Sequence, residues 1–141
     1  LEIFLKILST FAIGLVELIA AVPAGVAMGL SPVVAGIVSA AGSIAGTILT
    51  IFIGSSIRRW IIKKRAGKEK KRGRIRKIFD KYGVAGLGLA APVLTGIPLG
   101  AALCISFGAS PGKTMIWMAA GIFAWAGLLT SAAILGFSIF D

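Results

Sequence analysis

Residues 17–32 read ELIAAVPAGVAMGLSP. An acid opens the stretch, a proline follows six residues later, glycines crowd the middle and Ser31-Pro32 closes it. All else in residues 3–30 except Lys6 is uncharged and mainly apolar. A bilayer core of about 30 Å takes about 20 helical residues, so this segment is long enough to cross. Its proline and glycines argue for a broken helix instead. The next run, 33–57, carries no charge and no proline and is expected to be a plain transmembrane helix.

Composition supports a bilayer setting. Of 141 residues, 57% are apolar, and 19 glycines come on top of that share. Mean hydropathy is +0.99. A soluble domain of this length has too little interior to hide so much apolar surface. The net charge of +10 is confined: 13 of the 15 Lys and Arg fall in residues 58–82, beside Glu69 and Asp80. Outside that stretch the charges are Glu2, Lys6, Glu17, Lys113 and Asp141. Histidine is absent and Cys104 stands alone in an apolar run, where it reads as a packing residue. Internal disulfides, zinc sites and Ser-His or Cys-His nucleophiles are thereby excluded. No cofactor, metal site or enzymatic activity is expected. An internal Glu and a weak basic n-region argue against a cleaved signal peptide.

The basic stretch orients the chain. Short loops rich in Lys and Arg stay in the cytoplasm, so 58–82 is assigned there, in a plasma membrane of prokaryotic type. Arg58, Arg59, Lys63, Lys64 and Arg65, with Trp60 among them, are candidate contacts for anionic headgroups. Ile75, Ile78, Phe79 and Tyr82 share one helical face, predicting a short helix in the headgroup layer. Nucleic acid is not an expected partner of a loop tethered between membrane helices.

Beyond the loop the pattern returns. Segment 83–109 contains Pro92 and Pro98 and closes on Ser110-Pro111; segment 112–140 is the second long apolar run. Ser31-Pro32 and Ser110-Pro111 are 79 positions apart, as are Ala40-Ala41-Gly42 and Ala119-Ala120-Gly121. Pro23-Ala24-Gly25 matches Pro98-Leu99-Gly100 if the second copy carries four extra residues before Gly108. Residues 1–57 and 83–141 are therefore two repeats about a basic pivot, a pattern of transporters with discontinuous helices. Two topologies remain. If the broken segments span, there are four crossings and a parallel repeat. If they re-enter, only 33–57 and 112–140 cross and the repeats are inverted. The prolines favour re-entrance, because freed backbone groups are tolerated only in buried or wet places.

Glu17 is the leading candidate for chemistry. A carboxylate at membrane depth costs on the order of 3 kcal/mol on insertion scales, and desolvation favours its protonated form. That suits proton coupling or capture of a cationic cargo. Pro23, Pro92 and Pro98 would mark the breaks flanking the site. Thr95-Gly96 would offer a hydroxyl and bare backbone, and Lys113 a counter-charge. Ser31 and Ser110 are N-caps, with Pro32 and Pro111 at first helical positions. Gly25-x3-Gly29, Gly42-x3-Gly46 and Gly96-x3-Gly100 are close-packing spacings.

Glu17-Leu18-Ile19-Ala20-Ala21-Val22-Pro23, then Gly25, Gly29-Leu30 and Pro32, resembles the E-L-R-G-A-I-P signature of the small multidrug export family. Thr95-Gly96-Ile97-Pro98-Leu99-Gly100-Ala101 is similar to its T-G-x3-G-A stretch. Pro92 stands for the preceding proline, and Lys113 falls where a Lys follows the family's G-x-x-P region. Ile19 and Ala20 replace the usual Arg and Gly, so no Arg–Glu pair carries over. The resemblance implies kinship with DedA-like membrane proteins, which pair two re-entrant hairpins. The expectation is an all-α polytopic membrane protein of two inverted pseudo-repeats. Each repeat is a Pro-broken, re-entrant hairpin (3–30, 83–109) followed by a transmembrane helix (33–57, 112–140). Its expected role is a small, dimeric transporter of a small-molecule or lipid-like cargo. A lipid scramblase without ion coupling and a structural membrane subunit are the alternatives.

Overall fold

The computed structural model describes residues 1–53, 59–60, 63 and 69–140, and among these the regular structure is helical throughout. Six helices follow in order: α1 (Glu2–Val16), α2 (Leu18–Ala27), α3 (Pro32–Phe52), α4 (Glu69–Leu94), α5 (Ile97–Ser106) and α6 (Pro111–Phe140). Among the described residues only α3 and α6 contain apolar stretches long enough to cross a bilayer, Pro32–Phe52 and Pro111–Gly136. At 10 residues each, α2 and α5 reach about 15 Å, half the hydrocarbon thickness. The chain is an integral membrane protein built from two units, each a broken hairpin followed by a spanning helix.

Both spanning helices start as their sequence dictates. Ser31 Oγ accepts from the Val34 N–H at 3.4 Å, and Pro32 occupies the first helical position. Ser110 Oγ accepts from the Lys113 N–H at 3.3 Å, and Pro111 opens α6. Proline suits this position because its missing N–H would have no intrahelical partner there.

The first hairpin folds back on itself. Gly25 packs against Thr10, and Lys6 lies beside Gly29, so α2 runs antiparallel to α1. α3 then runs in the same direction as α1: Ser43 Oγ donates to the Gly14 carbonyl at 2.8 Å, and Gly46 meets the Leu15 carbonyl. A Cβ at Gly42 or Gly46 would collide with the α1 backbone, at the carbonyls of Phe11 and Leu15. The Gly42-x3-Gly46 spacing is thus the seat of α1. The hairpin tip lies level with Gly46, about 21 Å along the roughly 31 Å of α3.

The proline-based alignment of the two halves needs correction. Pro23 lies inside α2 and does not break it; the break falls at Glu17, which is extended at φ −150°, ψ 113°. In the second half the break is at Thr95-Gly96, with Gly96 at φ 81°, ψ 171°. Glu17 and Gly96 are 79 positions apart, as are α2 and α5 end to end, and Pro32 and Pro111. No four-residue insertion is required. The prolines misled because they occupy different turns: Pro98 is the second residue of α5, whereas Pro23 is the sixth of α2.

The closing turns repeat bond for bond. Gly29 and Gly108 both take φ 100°. Met28, Gly29 and Leu30 N–H donate to the carbonyls of Ala24, Val26 and Gly25. Phe107, Gly108 and Ala109 donate to Leu103, Ile105 and Cys104, the same positions one repeat later. These bonds satisfy carbonyls that a helix end leaves open.

One apolar cluster joins the units: Leu18, Val22, Ala40, Ala91, Ile97, Ala101, Met118, Ile122 and Ala126. A second belongs to the latter half, with Ile75, Leu87, Leu99, Ala102, Leu103 and Cys104. Ile75, on the face expected to meet headgroups, packs on the second hairpin. It is buried on the protein, and the Phe79 ring lies 5.4 Å from that of Phe107, while Tyr82 alone of that face stays well exposed. The reason is proximity: the turn of the second hairpin presents Phe107 and Ala109 directly to this face.

Candidate functional site

The residues that follow the two breaks belong to one apolar cluster. Leu18 and Ile97, the residues directly after the breaks, are both fully buried in the joining cluster. The N-terminal ends of α2 and α5, which carry partial positive charge, are thereby brought to one region. Glu17 heads α2 there. Its side chain is exposed and, among the described residues, makes no ion pair and does not cap the helix. Gly96, its counterpart, is buried, and Thr95 Oγ1 beside it donates to the carbonyl of Ala91 (3.2 Å) or of Gly96 (3.1 Å). Glu17 on one side, and Thr95, Gly96 and Pro98 on the other, are thus chain neighbours of Leu18 and Ile97 in the joining cluster.

The other candidates are placed differently. Pro92 is fully buried in the last turn of α4. Its ring removes a donor to the Gly88 carbonyl and crowds that turn. Trp125 Nε1 donates to the neighbouring Leu89 carbonyl at 2.7 Å. Pro23 is exposed on α2. Lys113 is exposed in the first turn of α6 and is not paired with Glu17. The ion pairs among the described residues are Lys6–Glu2 at 3.3 Å and Arg76–Asp80 at 3.2 Å. Arg59 and Lys63 are exposed in helical backbone; Arg58, Lys64 and Arg65 lie outside the described residues.

Sequence reasoning missed a column of hydroxyls on α3. Ser39, Ser43, Thr47 and Thr50 are all buried. Ser43 bonds to Gly14, and Thr47 and Thr50 bond to carbonyls one turn back in α3. The Oγ of Ser39 and Oγ1 of Thr114 are buried without a hydrogen-bond partner among the described residues. The 39-43-47-50 spacing was a usable signal, since it places four hydroxyls on one helical face. An open apolar groove of about 560 Å³ also lies between α3 and α6, lined by Gly36, Ile37, Ala40, Phe123, Ala126 and Thr130 among others.

The family described as "Putative small multi-drug export protein" matches residues 17–128, from the break residue into the second spanning helix. The chain belongs to this DedA-like small multidrug export family. Neither a curated protein nor a solved structure matches it. Family and fold are consistent with a small membrane transporter.

Proposed function

We propose that the chain is a proton-coupled exporter in which Glu17 is the protonation and cargo-binding group. The observation that carries this reading is the position of Glu17 at a hairpin tip, about two-thirds of the way along α3 and next to the cluster joining the repeats. An acid placed there, without a salt-bridge partner among the described residues, is free to exchange a proton for a cationic cargo. Thr95, Gly96 and Pro98 supply the facing wall, and alternating access is a rocking of one hairpin unit against the other. Lys113 at the start of α6 acts as an entry charge, Pro23 and Pro92 as fixed weak points in their helices.

The topology belonging to this mechanism is inverted and re-entrant. Two features support it: α2 and α5 are half a bilayer long, and Gly36, early in α3, packs on Thr130, late in α6. With residues 58–82 in the cytoplasm of a prokaryotic cell, Arg58, Arg59, Lys63, Lys64 and Arg65 meet anionic headgroups. A dimer is part of the reading, because one chain leaves Glu17 on its outer surface. We read the protein as non-enzymatic and independent of metals and cofactors.

The test is ethidium flux in proteoliposomes with an imposed pH gradient. Gradient-driven flux that is lost in Glu17→Gln is expected; equal flux in both proteins overturns the proton-coupled reading. The groove between α3 and α6 favours one second reading, a lipid scramblase. Gradient-independent flipping of labelled lipid, unchanged in Glu17→Gln, would identify it.

A further inference from the structure

The segment of α4 before Gly83 is held by contacts that no transport role has yet used. Gly83 takes φ 72°, ψ −163° and divides α4 into a basic part, residues 69–82, and a membrane part, residues 84–94. Such a conformation is open to glycine and strained for other residues. A Cβ at Gly83 would meet nothing within 4 Å, so backbone conformation alone demands a glycine there. Beyond this joint the basic part lies across the turn that closes the second hairpin. Ile75 is buried in the cluster containing Leu99, Leu103 and Cys104. The Phe79 and Phe107 rings are tilted at 58°. The Arg76 guanidinium sits 4.8 Å from the Phe107 ring centre while bonding to Asp80. These contacts are few and sit at the rim: the Arg76 side chain is 52% exposed. The first hairpin carries a different cover, Lys6 over Gly29, supplied by an unbroken α1.

We propose that residues 69–82 form a hinged clasp, with Gly83 as the joint and Arg76 and Phe79 as the catch, which closes the turn end of the second hairpin against water. Cys104 is fully buried in the same cluster as Ile75 of the clasp. When the catch opens, water reaches the α5 end of the hairpin; when it is shut, that end is sealed. In the transport reading above, this is the cytoplasmic gate. The clasp itself does not depend on that reading, and its test does not use transport.

The only cysteine of the chain reports on the clasp. In liposomes, the rate of Cys104 reaction with a water-soluble maleimide is measured for the wild type, Gly83→Ala and Arg76→Ala. Gly83→Ala introduces no clash and acts only by forcing the joint toward continuous helix. Arg76→Ala removes an exposed side chain and keeps the apolar face. Slow labelling of the wild type and a rise of about tenfold in either variant are expected. Labelling of both at the wild-type rate overturns the clasp, and so does a wild-type rate equal to that of the chain unfolded in detergent and urea. Should Gly83→Ala not fold, Arg76→Ala alone decides. Ethidium flux lost in Glu17→Gln with unchanged Cys104 labelling separates the two proposals.

Discussion

Leu18 and Ile97 hold the same position in the two repeats, 79 residues apart, and both are fully buried in one apolar cluster. Val22 and Ala101, one turn further on, share the relation and the cluster. Equivalent residues of the two repeats therefore contribute to the same cluster. Glu17 and Gly96 precede this pair and are equivalent too, yet one bears a carboxylate and the other no side chain. The half-helices and their closing turns repeat, while the chemistry at the breaks is one-sided.

That one-sidedness can be tested through the backbone. Gly96→Ala places a side chain at φ 81° and is expected to cost about 1–3 kcal/mol. Glu17, at φ −150°, tolerates any residue, so Glu17→Gln should leave stability within about 0.5 kcal/mol. Thermal unfolding in detergent reads both. A destabilised Glu17→Gln would tie the acid to the fold as well as to the proposed flux.

The seat of α1 on α3 predicts a contrast between glycines. Gly46→Ala drives a methyl into the Leu15 carbonyl and should lower stability by about 1–3 kcal/mol. Gly127→Ala, with nothing within 4 Å, should be neutral or slightly stabilising. Melting temperatures of the two variants provide the comparison.

Pro23 costs its helix a hydrogen bond to the Ile19 carbonyl. Pro23→Ala restores that bond and should raise stability by about 1–3 kcal/mol. Ethidium flux should fall if the weak point is used in transport. A Pro23→Ala protein no more stable than the wild type would mean that the carbonyl already has a partner.

Trp125 supports the turn of α4 that Pro92 disturbs. Trp125→Phe keeps the ring and drops the bond to Leu89, for an expected loss of about 1 kcal/mol. The matched change Trp117→Phe, which breaks no side-chain hydrogen bond among the described residues, serves as reference in the same melting experiment.

Topology has its own measurement. In a Cys104→Ser background, single cysteines at Ser31 and Ser110 should react with impermeant maleimide from opposite sides of the membrane. Reaction of both from outside would establish four crossings.

Much of this was legible in the chain itself because it is local. A Ser-Pro pair followed by an uncharged run caps and starts a helix wherever it occurs, so α3 and α6 were readable to within a residue at their starts. The break at Glu17 was not. Nothing in Val16-Glu17-Leu18 disfavours helix, and only the return of α2 against α1 makes it extended there. Gly96 announced its break through its residue type, but prolines in different turns drew the alignment off by four residues. The burial of Ile75 and the bond from Trp125 to Leu89 join residues far apart in the chain, which no local pattern encodes. Ser43, bonded across to Gly14, was hidden for the same reason.

The turns at Gly29 and Gly108 share three hydrogen bonds at the same offsets, and the helices leading into them have equal length. Residues 18–32 and 97–111 thus enter the fold and leave it at matching points. What differs is what each carries: Leu99, Leu103 and Cys104 pack with Ile75, whereas Gly25 packs on Thr10. The molecule keeps its geometry in its punctuation, leaving the residues between free to diverge toward different tasks.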